Sequence, residues 1–345
     1  MIPSNDLNYI FAGISEQEWG FFKKKRIFIT GGSGFIGKWL VSGLLFANER
    51  LDLNCEIEIL TRYPEKFCEL MPQITNSKIV ILRKGDIKNF EFGNKTFDII
   101  IHGATDVIKP SSALETFDTC FQGTKRILDF AKRCKASDFL LTSSGAVYGK
   151  HPSDLSGVNE GFLGAPDVTL ATSAYGEGKR VSEWLSFMAA EDTGMNVKVA
   201  RIYAQVGPYL PLDKHFAIGN FIQDALSGRT IKVLGDGTPI RSYLYAADTA
   251  LWLLAMMIRG KRNRVWNLGG DEKCSIAQLA NKVANILNSS KGVCIYKESK
   301  KNKKIECYVP DVRRAKNELR LPNIVSLDDS ILRTADWVIK NKILK

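Results

Sequence analysis

The residues with the clearest chemical potential are a tyrosine and a lysine four positions apart, Tyr175 and Lys179, at the start of a helical pattern. At this spacing the two side chains share one helix face, about one turn apart. A nearby ammonium group stabilises a phenolate and is expected to lower the pKa of the tyrosine toward neutrality. Such a tyrosine is a general acid or base for a carbinol or carbonyl. Ser144 can hydrogen-bond the same oxygen, so Ser144, Tyr175 and Lys179 are the predicted catalytic residues.

A glycine-rich turn lies upstream, in the segment Thr30-Gly-Gly-Ser-Gly-Phe-Ile-Gly37. Arg26–Thr30 has the residue types of a buried strand, and 35–48 has apolar residues at helical spacing. A strand, a glycine turn and a helix in this order form the context that a dinucleotide-binding fingerprint requires. A Tyr–Lys pair alone also occurs by chance on a structural helix. The glycine motif therefore favours the catalytic interpretation, in which the positive charge of a bound nicotinamide acts together with Lys179 to lower the tyrosine pKa.

Further short apolar runs predict strands at Glu56–Leu60, Ile79–Leu82, Phe97–His102 and Asp138–Thr142. Helical patterns separate several of them, notably Leu114–Cys134. Alternating strands and helices indicate an α/β fold with a doubly wound parallel sheet. Ligands of such sheets bind at the carboxyl ends of the strands, where the motifs fall.

Composition excludes several other classes of protein. The chain has 345 residues, 45% of them hydrophobic, and a net charge of +11. No apolar run reaches the ~20 residues of a membrane span, and the N-terminus has no apolar signal core, so we expect a cytoplasmic protein that binds no membrane. The basic run after Lys297 lacks interleaved aromatic residues, so no nucleic-acid partner is expected. Seven scattered cysteines and three scattered histidines predict no disulfide framework and no metal site.

These motifs resemble the extended short-chain dehydrogenase/reductases, and more narrowly the nucleotide-sugar epimerases, dehydratases and reductases. The resemblance runs over about residues 25–340 and includes the segments Ala200–Pro208 and Leu234–Asp248. It implies a Rossmann domain at 1–200 plus about 241–268, interleaved with a smaller substrate-binding lobe at 201–240 and 269–345. It also implies a homodimer through the helices at Leu114–Cys134 and Tyr175–Glu191.

The resemblance further assigns residues to ligands. Arg241 is expected to bind the diphosphate of a nucleotide sugar, since a guanidinium matches phosphate oxygens bidentately. Ser144 and Tyr175 are expected to contact the sugar. The predicted cofactor-binding residues are Gly31, Ser33, Gly34, Phe35, Ile36, Gly37, Thr61, Arg62, Asp86, Ile87, Ala104, Thr105, Tyr175 and Lys179.

Departures from the family pattern narrow the reaction. The 4,6-dehydratases that this chain resembles carry an Asp–Glu pair directly after the catalytic Ser/Thr, and the sugar-acid decarboxylases usually keep the Glu. This chain has Gly145 and Ala146 at these two positions. GDP-fucose synthases need a Cys and a His where Ala146 and Tyr209 lie. A 4-keto-sugar reductase is therefore expected, with a 4-epimerase as the alternative. An atypical 4,6-dehydratase, its acid supplied by Asp106 or Glu160, is less favoured.

The cofactor preference is predicted from the end of the second strand. NAD-binding Rossmann folds place a carboxylate there for the ribose hydroxyls, whereas this chain has Thr61 and Arg62. An arginine can bind a 2′-phosphate, so NADP(H) is favoured and NAD(H) remains possible. Ala204 and Cys120 replace family asparagines. The sequence does not identify which sugar or which nucleotide base the substrate carries.

Overall fold

A computed structural model describes residues 1–105, 112–152, 155–214, 216–299 and 304–343. These residues form fourteen strands: β1 (Arg26–Thr30), β2 (Glu56–Thr61), β3 (Val80–Lys84), β4 (Ile99–His102), β5 (Asp138–Ser144), β6 (Asn196–Ile202), β7 (Gln205–Val206), β8 (Ile231–Val233), β9 (Ile240–Ser242), β10 (Leu244–Tyr245), β11 (Arg264–Leu268), β12 (Lys273–Ser275), β13 (Val293–Ile295) and β14 (Cys307–Tyr308).

The same residues form twelve α-helices: α1 (Ser4–Ala12), α2 (Glu16–Trp19), α3 (Phe35–Leu51), α4 (Pro64–Leu70), α5 (Pro72–Thr75), α6 (Ala113–Cys134), α7 (Ala174–Thr193), α8 (Ala217–Leu226), α9 (Ala246–Arg259), α10 (Ile276–Ile286), α11 (Arg313–Leu319) and α12 (Leu327–Lys340). No helix of the described chain is long and apolar enough to cross a membrane.

Seven strands form the central sheet in the order β11-β6-β5-β4-β1-β2-β3, and every neighbouring pair is parallel. Strands β1, β2, β4 and β5 have near-continuous buried faces, as expected for a sheet that is covered on both sides. One apolar cluster joins the sheet to α3 and α9, and a second joins its other face to α6 and α7. The predicted α/β fold with a doubly wound, Rossmann-like parallel sheet is confirmed.

The predicted strands and helices differ from the observed ones by a few residues at their ends. The fifth strand runs on to Ser144, so this residue is the last of β5 instead of lying beyond the strand. The third starts at Val80 and extends to Lys84. Residues 4–22 form short helices for which the sequence analysis made no prediction, and α1 packs against α3 and α9.

Smaller sheets stand beside the central one. Strands β12, β9 and β14 form a three-stranded sheet, and β13 pairs with β8. In this three-stranded sheet β14 runs parallel to β9 with Cys307 opposite Ile240, so Tyr308 lies opposite Arg241. The division into two interleaved domains stays a prediction.

Candidate functional site

A cavity of about 1040 Å³ lies at the carboxyl ends of the central strands. Its wall contains the end of β1, the glycine turn, the end of β5, the start of α7 and part of the three-stranded sheet. The predicted residues in this wall are Gly31, Gly34, Phe35, Ile36, Gly37, Thr105, Ser144, Tyr175, Lys179 and Arg241. The fold thus brings the glycine motif, the catalytic candidates and the predicted phosphate ligand to one space.

The glycine turn is built so that side chains are excluded. Gly31 has a φ of 74°, and a Cβ there would lie 2.5 Å from the carbonyl carbon of Gly103. A Cβ at Gly37 would collide with the Gly31 oxygen. Gly34 is the N-cap of α3 and provides no side-chain cap, so the first-turn N–H groups are left for another acceptor. A helix N-terminus of this kind fits a pyrophosphate.

Ser144, Tyr175 and Lys179 converge as predicted from their spacing. Ser144 ends β5, and its Oγ accepts a hydrogen bond of 3.1 Å from the Ala146 N–H. Tyr175 is the second residue of α7, and the Nζ of Lys179 lies 5.9 Å from the centroid of the Tyr175 ring. Lys179 is held by two acceptors, the Oγ1 of Thr105 at 2.7 Å and the carbonyl of Thr142 at 2.8 Å. An ammonium group has three donors, so one donor remains for a ligand.

Taken together, the chain's own groups do not lower the pKa of Tyr175, and the lowering expected together with a positively charged nicotinamide stays a prediction. Burial raises the pKa of the Tyr175 phenol, and the hydrogen bond with Ser144 offsets this effect in part. Burial also lowers the pKa of Lys179. Desolvation disfavours the charged forms of both groups, and sequence spacing gives no measure of it. Tyr175 therefore holds its proton at neutral pH.

The end of β2 has the polar character that the sequence indicated. The Oγ1 of Thr61 lies 3.3 Å from the Oγ of Ser33 in the glycine turn. Arg62 is exposed, and its guanidinium lies 5.7 Å from the centroid of the Tyr63 ring. Ser33, Thr61 and Arg62 lie outside the wall of the main cavity. Their contact nevertheless places the end of β2 beside the turn that fits a pyrophosphate.

Three further predicted cofactor residues lie outside that wall. Asp86 follows β3, and its Oδ1 accepts a hydrogen bond from the Lys88 N–H. Ile87 is buried in the apolar cluster beneath α6. The Ala104 N–H donates to the Oγ1 of Thr30 at 3.2 Å, which fixes the loop after β4.

Gly145, at the first position of the dehydratase Asp–Glu pair, has no room for a side chain. Gly145 begins a 3₁₀ turn that extends to Tyr148, and a Cβ at Gly145 would lie 2.5 Å from the Cζ of Tyr203. Glu160 lies away from the cavity, where its carboxylate accepts a bond of 2.9 Å from the Asn267 N–H and lies 3.4 Å from Arg314. Glu160 as the supplier of the acid is therefore wrong. Asp106 lies outside the described residues.

Arg241 lies in the cavity wall, but its guanidinium is already engaged. It donates to the Oε1 of Glu306 at 2.5 Å and to the carbonyl of Ile240 at 3.0 Å. The Glu306 side chain is 62% exposed. An anionic ligand that binds Arg241 must therefore displace a largely solvated carboxylate. The sequence analysis did not identify Glu306, because it reaches Arg241 through the pairing of β14 with β9.

Sequence reasoning also missed a buried hydrogen-bond chain behind Lys179. The Oγ1 of Thr30 contacts the Nδ1 of His102 at 2.7 Å, and the Nε2 of His102 contacts the Oγ1 of Thr124 at 3.2 Å. Thr124 then donates to Ser182 on α7 at 2.8 Å. Burial lowers the pKa of His102 to about 3, so the imidazole is neutral. These hydrogen bonds connect β1 and β4 with α6 and α7, and they hold α7 against the sheet.

Comparison with known proteins agrees with this fold. The family model described as the NAD dependent epimerase/dehydratase family matches residues 27–269. UDP-glucuronic acid decarboxylase 1 of Xenopus tropicalis is 28% identical over 92% of this chain and 73% of its own length.

Two solved structures show the same fold. The dTDP-glucose 4,6-dehydratase of Bacillus anthracis, in complex with NAD, has a TM-score of 0.79 and 21% identity over 92% of this chain and 98% of its own. The UDP-glucuronic acid 4-epimerase of Bacillus cereus, in complex with UDP-glucuronic acid and NAD, has a TM-score of 0.77 and 21% identity over 92% and 99%.

The fold and the site define a nucleotide-binding enzyme of the Rossmann type. The chain belongs to the NAD dependent epimerase/dehydratase family, whose model covers most of it.

Proposed function

We propose that this chain reduces the C4 carbonyl of a nucleotide-linked 4-keto sugar with a nicotinamide cofactor. The observation that carries the proposal is the convergence of Ser144, Tyr175 and Lys179 on one cavity, with glycine and alanine at positions 145 and 146. Hydride transfer at C4 needs one proton donor. Elimination or decarboxylation would need further acid–base groups beside it.

The chain's residues fit a nicotinamide dinucleotide. The side-chain-free turn at Gly31 and Gly37 and the uncapped N-terminus of α3 would hold its pyrophosphate. The remaining N–H donor of Lys179 would bind its nicotinamide ribose. When bound, the cofactor supplies or accepts the hydride exchanged with the sugar C4.

The protein's own part in the reaction is proton transfer and orientation. Tyr175 is neutral because burial raises its pKa, so it can donate its phenolic proton to the C4 oxygen as the carbonyl is reduced. Ser144 would hydrogen-bond the same oxygen. Thr105 and the Thr142 carbonyl fix the Lys179 ammonium, whose charge then stabilises the phenolate that the reaction leaves.

We also propose a preference for NADP(H). The end of β2 offers the hydroxyl of Thr61 and the exposed guanidinium of Arg62, and it offers no carboxylate. A 2′-phosphate would find a donor and a positive charge there, and the ribose 2′-hydroxyl would lack its usual acceptor. The use of NADPH suits net reduction.

A 4-epimerase is the second candidate. The structural neighbour with UDP-glucuronic acid and NAD is a 4-epimerase, and a cavity of about 1040 Å³ leaves room for a keto sugar to turn. A decarboxylase is not proposed, although the matched relative from Xenopus tropicalis is one. Ala146 stands where such enzymes usually carry the glutamate.

For assembly, we propose a homodimer through α6 and α7. These two helices pack against each other, and α7 presents Trp184 with 60% of its surface exposed. A large exposed aromatic side chain is typical of an interface. Light scattering tests this proposal: the wild type should have the mass of a dimer and Trp184→Glu that of a monomer. A monomeric wild type would contradict it.

The reaction is tested with Tyr175→Phe. General acid–base transfer contributes ~10²–10⁴ to rate, so the variant should lose at least about 100-fold in turnover of a 4-keto nucleotide sugar. Tyr296→Phe, at an exposed position outside the cavity, is the control and should keep wild-type turnover. Unchanged turnover by a folded Tyr175→Phe would contradict the proposed role.

A further inference from the structure

A second tyrosine stands at the reaction centre, contributed by a distant part of the chain. Tyr308 is the last residue of β14, and its hydroxyl lies 3.4 Å from the Oγ of Ser144. It lines the same cavity as Tyr175. This distance is long for a bond between hydroxyls, and either oxygen can be the donor.

The hydrogen-bond inventory of Ser144 gives this contact a direction. A serine hydroxyl has one donor and two acceptor sites. The Ala146 N–H fills one acceptor site at 3.1 Å. Burial raises the pKa of Tyr308 to about 12, although Ser144 favours the phenolate, so Tyr308 keeps its proton at neutral pH. Ser144 also hydrogen-bonds Tyr175, so if Tyr308 donates to the second acceptor site, the Ser144 proton is left for Tyr175 or for a substrate oxygen.

We propose that Tyr308 is a positioning residue, which donates to the Oγ of Ser144 and directs the Ser144 proton toward the sugar C4 oxygen. The inference rests on the proposed function, because it assigns Ser144 a contact with that oxygen. Without the Tyr308 hydroxyl, the second acceptor site of Ser144 is unfilled and the Ser144 proton is no longer directed toward the substrate. Tyr308 thus acts on the reaction through Ser144.

The surroundings of Tyr308 decide which variant tests the proposal. The Arg241 guanidinium lies 5.7 Å from the centroid of the Tyr308 ring, and the centroids of the Tyr203 and Tyr308 rings are 4.5 Å apart. Removal of the whole ring would disturb Arg241 as well. Tyr308→Phe removes the hydroxyl and keeps the ring.

Tyr203→Phe is the matched control. The Tyr203 hydroxyl is buried and has no hydrogen-bond partner among the described residues. Loss of a hydroxyl without a partner removes no bond. Tyr203 lines the same cavity, so Tyr203→Phe changes the same aromatic cluster by the same atom, and its effect on kcat should not be coupled to that of Ser144→Ala.

The experiment is a double-mutant cycle with Tyr308→Phe, Ser144→Ala and both together, run on the nucleotide sugar that the wild type turns over. Tyr308→Phe should lower kcat about three- to tenfold and leave KM within about twofold, since one neutral hydrogen bond is lost. In the Ser144→Ala background it should have almost no further effect. Equal effects in both backgrounds, or a change in KM alone, would overturn the proposal.

A second measurement does not depend on activity. Urea unfolding of the same four proteins should show that the two substitutions are coupled, because each removes one end of the same bond. If the wild type turns over no 4-keto sugar, the proposed function fails while this coupling still reports the Tyr308–Ser144 bond. Additive effects on the free energy of unfolding would overturn the positioning role.

Discussion

The ion pair between Arg241 and Glu306 competes with the proposed nucleotide-sugar diphosphate. Substrate can bind Arg241 after the 2.5 Å contact with Glu306 breaks. Glu306→Gln removes the competing charge, so the KM for nucleotide sugar should fall. The Glu306 side chain is 62% exposed, and an ion pair of this kind contributes ~0–1 kcal/mol. A tenfold change corresponds to about 1.4 kcal/mol, so the expected decrease is at most about fivefold.

Removal of Arg241 should have the opposite and larger effect. A hydrogen bond to a charged group contributes ~1.5–3 kcal/mol, so Arg241→Ala should raise KM by roughly 10- to 100-fold, at about 1.4 kcal/mol per factor of ten. The affinity for cofactor should change little, because Arg241 lies on β9 in the three-stranded sheet and is not part of the glycine turn. Glu306→Gln is thus expected to lower the KM for nucleotide sugar, and Arg241→Ala is expected to raise it.

The assay is the initial rate against nucleotide-sugar concentration at saturating cofactor, at low and at raised salt. Salt screens exposed charges, so the benefit of Glu306→Gln should shrink as salt is added. Glu272→Gln is the control, since Glu272 forms a half-exposed ion pair with Lys282 outside the cavity. A higher KM for Glu306→Gln, or an unchanged KM for Arg241→Ala, would refute the reasoning.

Two further predictions concern the cofactor and stability. Arg62→Ala should weaken NADP(H) selectively by roughly 1.5–3 kcal/mol, and Thr61→Asp should shift preference toward NAD(H). Calorimetric titration decides this, and NAD(H) binding to the wild type as tightly as NADP(H) would contradict it. Burial raises the pKa of Asp248 to about 7, although the hydrogen bond from Tyr9 acts to lower it. The neutral carboxyl group therefore contributes stability that is fully present below pH ~4 and is lost as pH rises through about 7. Urea unfolding from pH 4 to 8 should show the wild type losing stability relative to Asp248→Asn, whereas parallel curves would be evidence against it.

Much of the fold was predictable because its signals are local. Continuous apolar runs mark the strands that are buried on both faces, and the β1 prediction, Arg26–Thr30, matches the observed strand. The glycine motif predicted a turn without side chains, and collisions at Gly31 and Gly37 agree with that reading. The strands outside the central sheet are two or three residues long, which is too short to show a periodicity.

The parts of the site that could not be predicted depend on distant contacts. Tyr308 meets Ser144 across 164 positions of sequence, through a strand of two residues. The direction of the Tyr175 pKa depends on burial, which the spacing from Lys179 does not report. Glu160 is not available as an acid, because its carboxylate accepts a hydrogen bond from the distant Asn267 N–H.

The most direct test of the account is the stoichiometry of the nicotinamide. Purified protein is mixed with a 4-keto nucleotide sugar and NADPH, and the loss of reduced-nicotinamide absorbance is compared with the amount of sugar product. The account predicts one cofactor oxidised for each sugar reduced, with the oxidised cofactor released. Sugar product formed without net consumption of cofactor would contradict a reductase and would indicate an epimerase.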